Sequence, residues 1–186
     1  MREFSESTPG LAGSFLVAHP SLLDPNFRRS VLFMTANDPE EGSHGLIINR
    51  PTGKTVADLV TAGEIGPLSH LPVFVGGPVG GDHLTFASFH RDIVTGRIEC
   101  NANLGIEEAS DHASDKLTSV RAFIGYSGWS KQQLETELAQ KAWIVRKPDM
   151  DSLDIEQCKD LWPSIMRELG PWFRLLASAP DDPSRN

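Results

Sequence analysis

Eight short β-capable segments, none longer than eight residues, run along residues 13–145 with turn-forming residues between them. They are GSFLVAH (13–19), SVLFMTA (30–36), HGLIIN (44–49), PVFV (72–75), HLTFASFH (83–90), RIEC (97–100), SVRAFIGY (119–126) and AWIV (142–145). Apolar runs this short, bounded by Gly, Pro, Asp and Asn, read as strands rather than helices. In HLTFASFH, Leu84, Phe86 and Ser88 fall on one face and Thr85, Ala87 and Phe89 on the other, so the strand is expected to be covered on both sides.

Helical patterns are fewer and fall mostly late in the chain. Thr55 with Asp58 forms a capping box ahead of Val56, Leu59 and Val60. Ser130 with Gln133 forms a second one, and Trp129 and Leu134 flank it as a hydrophobic staple. Leu134, Leu138 and Ala142 continue as a core-facing stripe. From Ile155 to Leu169 the apolar spacing predicts an amphipathic helix, kinked or divided at Pro163. PWFRLLAS adds a further turn or two, with Gly170 as the preceding C-cap, while the polar stretch 101–116 has no clear assignment. Strands that alternate irregularly with helices indicate an α+β fold rather than regular βαβ winding.

A length of 186 residues fits one domain, expected over 13–186 behind a flexible segment 1–12. No apolar run approaches the roughly 18 residues of a membrane span, and the first residues lack a secretory apolar region. Cys100 and Cys158 stand apart without a CxxC pair, which fits a reducing cytoplasmic setting. The formal charge of −8, with no long basic block, disfavours direct DNA binding.

The stretch VGGPVGGDHL (75–84) invites comparison with a phosphate-binding loop. Gly76 and Gly81 match the outer glycines of G-x-x-x-x-G-K-[ST], but Asp82 and His83 stand where the lysine and hydroxyl belong. A carboxylate there repels phosphate, so the glycines are read as a tight connection and the second pair as turn chemistry. The six histidines show no HxxxH or HxH spacing, no G-x-S-x-G elbow is present, and both cysteines sit in apolar patterns. No catalytic residue, metal site or cofactor is therefore assigned. One polar constellation remains, in which Asp24, Asn26, Arg28 and Arg29 end one strand candidate and Asn49 and Arg50 end another. Such arginines either clamp an anion or pair with the aspartate and so lock the loops.

Five blocks carry a family resemblance: GSFLVAHPSLLDPNFRRSVLFM, HGLIINRPTG, VFVGGPV with FASFH, RAFIGYSGWSKQQLETELAQKAW, and LWPSIMRELG with DDPSRN. In that order they resemble the AlgH/YqgE family of bacterial proteins. The resemblance implies a compact α+β domain whose bifurcated, mostly antiparallel sheet forms a pseudo-barrel. It implies no settled activity, only a transcriptional-regulator label on some members. The positions it marks are Asn49, Arg50, Pro51, Gly76, Gly77, Pro78, Gly125, Trp129 and Gln133; Asp24 and Arg28 join them from the polar constellation. The chain departs from the family where Pro-Gly is replaced by Lys131-Gln132 and a glycine by Lys141, changes expected to raise helix propensity. The leading expectation is a module that binds a small ligand or a protein partner. The alternatives are a regulator of transcription, direct or indirect, and an enzyme with an Arg/Asn anion pocket.

Overall fold

The computed structural model describes residues 10–61 and 65–179; the expectations for residues 1–9 and for the end of the C-terminal tail lie outside them. The strands are β1 (Phe15–Ala18), β2 (Val31–Asp38), β3 (Gly42–Ile47), β4 (Pro51–Thr55), β5 (Pro72–Val75), β6 (Val79–Arg91), β7 (Ile98–Leu104), β8 (Thr118–Trp129) and β9 (Trp143–Arg146). The helices are α1 (Val56–Leu59), α2 (Ile106–Ala113), α3 (Gln133–Ala139), α4 (Leu161–Glu168) and α5 (Pro171–Ala177). All nine strands join one curled, half-barrel sheet in the order β4-β5-β8-β3-β2-β1-β9, with β6 and β7 branching from β8. Only β5 with β8 is parallel. The α+β expectation holds.

The branch point explains the glycine signature. On one side β8 pairs with β6; on the other it pairs first with β5, at Ala122–Ile124, and then with β3, at Ser127–Trp129. Strands β5 and β6 thus flank β8 on opposite sides, yet only Gly76, Gly77 and Pro78 connect them. Three extended residues reach about 10 Å, which equals about two inter-strand spacings. The chain must pass directly over β8. A Cβ on Gly77 would overlap the Tyr126 carbonyl group, and one on Gly76 would overlap the Gly125 oxygen. Gly125 itself has φ +69° and lies under the Gly77 and Val79 oxygens, which a Cβ would meet at 2.5 and 2.8 Å. Backbone bonds then seal the fork, as Gly76 N–H donates to Ile124 O and Ile47 N–H donates to Gly76 O, both at 2.9 Å.

The second glycine pair is not a simple turn. Gly80 and Gly81 lie within β6, where the register steps from Val79↔Tyr126 to Leu84↔Ile124. Four residues of β6 therefore oppose the single residue Gly125, a wide bulge that absorbs the sharp re-entry after the crossing.

Alternating side chains feed two faces of the sheet. Phe15, Val17, Val31 and Phe33 face one core with Phe89, Phe123, Trp162 and Ile165. Leu16, Ala18, Leu32 and Met34 face another with Trp129, Leu134 and Trp143. A third cluster packs α1 and α2 onto β5, β6 and β8 through Val56, Ala109, Val73, Phe86 and Ala122. Burial of each large apolar side chain contributes roughly 1.5–3 kcal/mol. Phe86 and Phe89 fall in different clusters, so both faces of β6 are covered as expected. At the N-terminal side, Leu11 packs against the second cluster and donates its N–H to Asn37 Oδ1, so residues 10–12 are docked.

Four local expectations are corrected. The unassigned polar stretch holds the end of β7 and all of α2, whose first turn is closed by Gly105 N–H donating to Glu108 Oε2. The predicted helix from Ile155 is instead one 3-10 turn, 158–160, followed by α4, with a further 3-10 turn at 151–153 ahead of it. Asp149 and Asp154 accept nearby backbone N–H groups from Ser152 and Glu156, an alternative that competes with helix. Pro163 falls in the first turn of α4, where its missing donor has no helical partner to lose, and Gly170 serves as the N-cap of α5. Finally, Gln132 and Lys141 do not sit inside α3. They flank it at φ +65° and +58°, left-handed positions where the family glycines are at ease and a Cβ is strained.

Candidate functional site

The marked residues converge on the crossing and on the 24–30 loop beside it. Asn49 links β2 to that loop: Val31 N–H donates to its Oδ1 at 2.8 Å, and its Nδ2 donates to Arg29 O at 3.0 Å. Arg50 grips the same loop, donating from Nη1 to Asn26 O and from Nη2 to Arg28 O at 2.8 Å. Asp24 shapes the loop from within by accepting Asn26 N–H at its Oδ1. Burial holds the Arg50 guanidinium below its ordinary pKa, an effect that nearby Asp24 partly offsets. Asn49 and Arg50 lock the loop as one of the two sequence readings expected, but through backbone carbonyls rather than through an Arg50–Asp hydrogen bond.

Pro51 begins edge strand β4 opposite Phe74, and Val75 N–H donates to Arg50 O at 2.9 Å. The Asn49-Arg50-Pro51 and Gly76-Gly77-Pro78 segments are therefore neighbours, and Gly125 lies directly beneath the second. Ser127 Oγ adds a hydrogen bond to Gly76 O at 3.1 Å.

Trp129 and Gln133 belong to an adjacent aromatic corner. Trp129 is buried (4% exposed), stacks on Phe27 at 5.9 Å between centroids, and meets Trp143 edge-on. Its Nε1 and that of Trp143 both donate to Glu137 Oε2, at 2.9 and 2.8 Å. Gln133 accepts from Ser130 N–H at Oε1 and donates from Nε2 to Glu137 Oε1. Trp129 and Leu134 share one core cluster, but the N-cap of α3 is Gln132 rather than the expected Ser130, and buried Trp129 offers almost no apolar surface. Exposed apolar side chains occur at several places, among them Trp172 and Leu175 on α5; those at the crossing are Val75, Val79 and Tyr126 (40%), with the Tyr126 ring 5.6 Å from that of His44.

Sequence reasoning missed Arg121. It is wholly buried on β8, donating from Nη1 to Ile48 O and from Nη2 to Leu153 O, with its guanidinium 4.8 Å from the Phe74 ring centre. Burial pushes its pKa down to about 10. The available signal was parity: Arg121 shares the strand face of Phe123, a core position. Arg121 thereby staples the 151–153 turn to the sheet.

Two concavities lie away from the marked residues. A cleft of about 460 Å3 between the end of β9 and α4 is lined by Asp149, Asp151, Glu156 and Asp160 together with Arg146 and Arg167. A groove of about 860 Å3 lies between β7 and β9. No cluster of three or more His, Cys, Asp or Glu side chains suited to a metal ion occurs among the described residues. Among them, too, no helix is long and apolar enough to cross a membrane.

These features can be set beside known proteins. The family model described as AlgH-like (DUF179) matches residues 15–174. A UPF0301 protein of Streptomyces avermitilis is 35% identical over 193 residues, covering 95% of each chain. Another, from Thermobifida fusca, is 33% identical over 95% of this chain and 96% of the relative. The solution structure of AlgH from Pseudomonas aeruginosa superimposes with a TM-score of 0.64 at 25% identity, covering 97% of this chain and 98% of that one. A crystal structure of a Corynebacterium diphtheriae protein shares the fold, with a TM-score of 0.69 at 19% identity over 96% and 95% of the two chains. By the match of its sequence and its forked sheet, the chain belongs to the AlgH-like family.

Proposed function

We propose that this protein is a binding module that engages a protein partner through the surface around the β5–β6 crossing. The observation that carries this reading is a contrast in how side chains are used there. Asn49 and Arg50 direct their polar groups at the protein's own backbone, while Val75, Val79 and Tyr126 remain exposed on a rigid, doubly hydrogen-bonded platform. Apolar groups held outward on a stiff frame favour association, because burial removes them from water at little ordering cost. The Arg50 guanidinium spends its Nη1 and Nη2 donors on Asn26 O and Arg28 O, which disfavours the anion-pocket enzyme. The net charge of −8 gives no electrostatic drive toward nucleic acid, so any regulatory role would run through a protein contact.

The test is quantitative cross-linking with mass spectrometry in the native host, comparing wild type with Val79→Ser/Tyr126→Ser. The expected result is loss of a defined partner set, by about tenfold or more, with the unfolding midpoint nearly unchanged. An unchanged partner set in a folded variant would sink the reading.

A further inference from the structure

The half-barrel does not close. Among the described residues, strand β7 pairs only with β6 and β9 only with β1, so each has one edge without a partner strand there. Between these edges lies the groove of about 860 Å3, a volume typical of small-ligand sites and placed, as such sites often are, at the mouth of a barrel. The segment 10–14 runs along it, anchored by Gly13 N–H donating to Met34 O at 2.8 Å.

The lining is divided by chemistry. Phe33, Ile98 and Cys100 form an apolar floor that continues the protein core. Burial pushes the Cys100 thiol up to about 12, so it is uncharged there. Arg97, Arg146 and Lys147 supply cations around the floor. The groove's one carboxylate, Glu99, is turned to His90 at 3.3 Å. Arg146 donates from Nη2 to Glu168 at 2.6 Å, but its Nη1 is buried without an acceptor among the described residues. Arg97 and Lys147 form no ion pair among those residues either. Arg97 and Lys147 thus bring two exposed cations to one concavity on a chain of charge −8, with Arg146 between this groove and the neighbouring cleft, and a cationic rim favours an anionic ligand.

We infer that the groove between β7 and β9 binds a small amphiphile, with one anionic head held by Arg97, Arg146 and Lys147 and an apolar body laid on Phe33, Ile98 and Cys100. The head is a carboxylate or a phosphate. An acidic cleft or a neutral pocket would not select such a molecule, whereas this rim gives it charge-assisted hydrogen bonds and this floor gives it burial. The site is separate from the crossing surface and does not depend on it.

The test is a two-dimensional amide NMR titration of the isotope-labelled protein with octanoate, octyl phosphate, octanol and inorganic phosphate. The expected result is saturable shifts at residues 12–14, 33–35, 97–101 and 145–147 with octanoate or octyl phosphate, and the better of the two identifies the head. Arg97→Ala/Lys147→Ala, both at exposed positions, should weaken binding about tenfold or more, and Val145→Asp should abolish it. Octanol binding as tightly as either anion would refute the anionic head, and inorganic phosphate alone reproducing the shifts at Phe33, Ile98 and Cys100 would refute the apolar body. Shifts confined to other parts of the protein, or no saturation with either amphiphile, would overturn the proposal, as would unaltered binding to the folded charge variant.

Discussion

Two neighbouring regions solve unusual backbone geometry in opposite ways. At the crossing, Gly76, Gly77 and Gly125 contribute by having no side chain, because two backbones pass where any Cβ would overlap the other chain. At the α3 corner, Gln132 and Lys141 carry full side chains at φ +65° and +58°, and the structure there is held by Trp129, Trp143, Leu134 and Glu137. The difference separates two meanings of a glycine position. Where the obstacle is another backbone, no local adjustment removes it. Where the obstacle is only the residue's own φ, the strain is about 1–2 kcal/mol and dense packing can hold it.

The contrast breaks most visibly at Gly77. Gly77→Ala is expected to abolish folding or cost more than about 4 kcal/mol, read as loss of soluble protein or a collapsed urea midpoint. Gly81→Ala, where a Cβ meets open space, should stay within about 0.5 kcal/mol. Equal effects at the two positions would mean that the crossing is not sterically tight. A smaller effect tests the side-chain half of the comparison. Glu137→Ala leaves two indole N–H groups, on Trp129 and Trp143, without their acceptor and should cost about 2–3 kcal/mol by urea unfolding. The smallest effect has the opposite sign: Gln132→Gly and Lys141→Gly should each raise stability by about 0.5–1 kcal/mol in thermal or urea unfolding. Destabilisation by these glycines would show that α3 is held by something other than the contacts described.

Much of the fold was legible. The segments GSFLVAH, PVFV and AWIV became β1, β5 and β9 with ends within two residues, because short apolar runs bounded by turn residues have few other uses. The Thr55–Asp58 box also formed, with Thr55 N–H donating to Asp58 Oδ2 at 2.7 Å, since all its partners lie within three residues. The site was less legible. Asn49 and Arg50 were visible as a polar cluster, but whether they faced a ligand or their own backbone depended on a loop some twenty residues away. No local pattern links Arg146 and Lys147 to Arg97; their meeting beside the core floor required the sheet to curl.

What the sequence determined by itself is what short-range chemistry decides: strand segments, helix caps, the α+β class, and the failure of VGGPVGGDHL as a phosphate loop, since Asp82 and His83 stand where its chemistry needs a lysine and a hydroxyl. Tertiary structure decided what that glycine turn passes over, where the Arg121 guanidinium is buried, and that the barrel stays open between β7 and β9. Periodicity and capping act over a few residues, whereas Ser127 meets Gly76 across 51 positions and Arg121 meets Ile48 across 73. No local pattern encodes a partner that far along the chain; the packing of the completed sheet selects it.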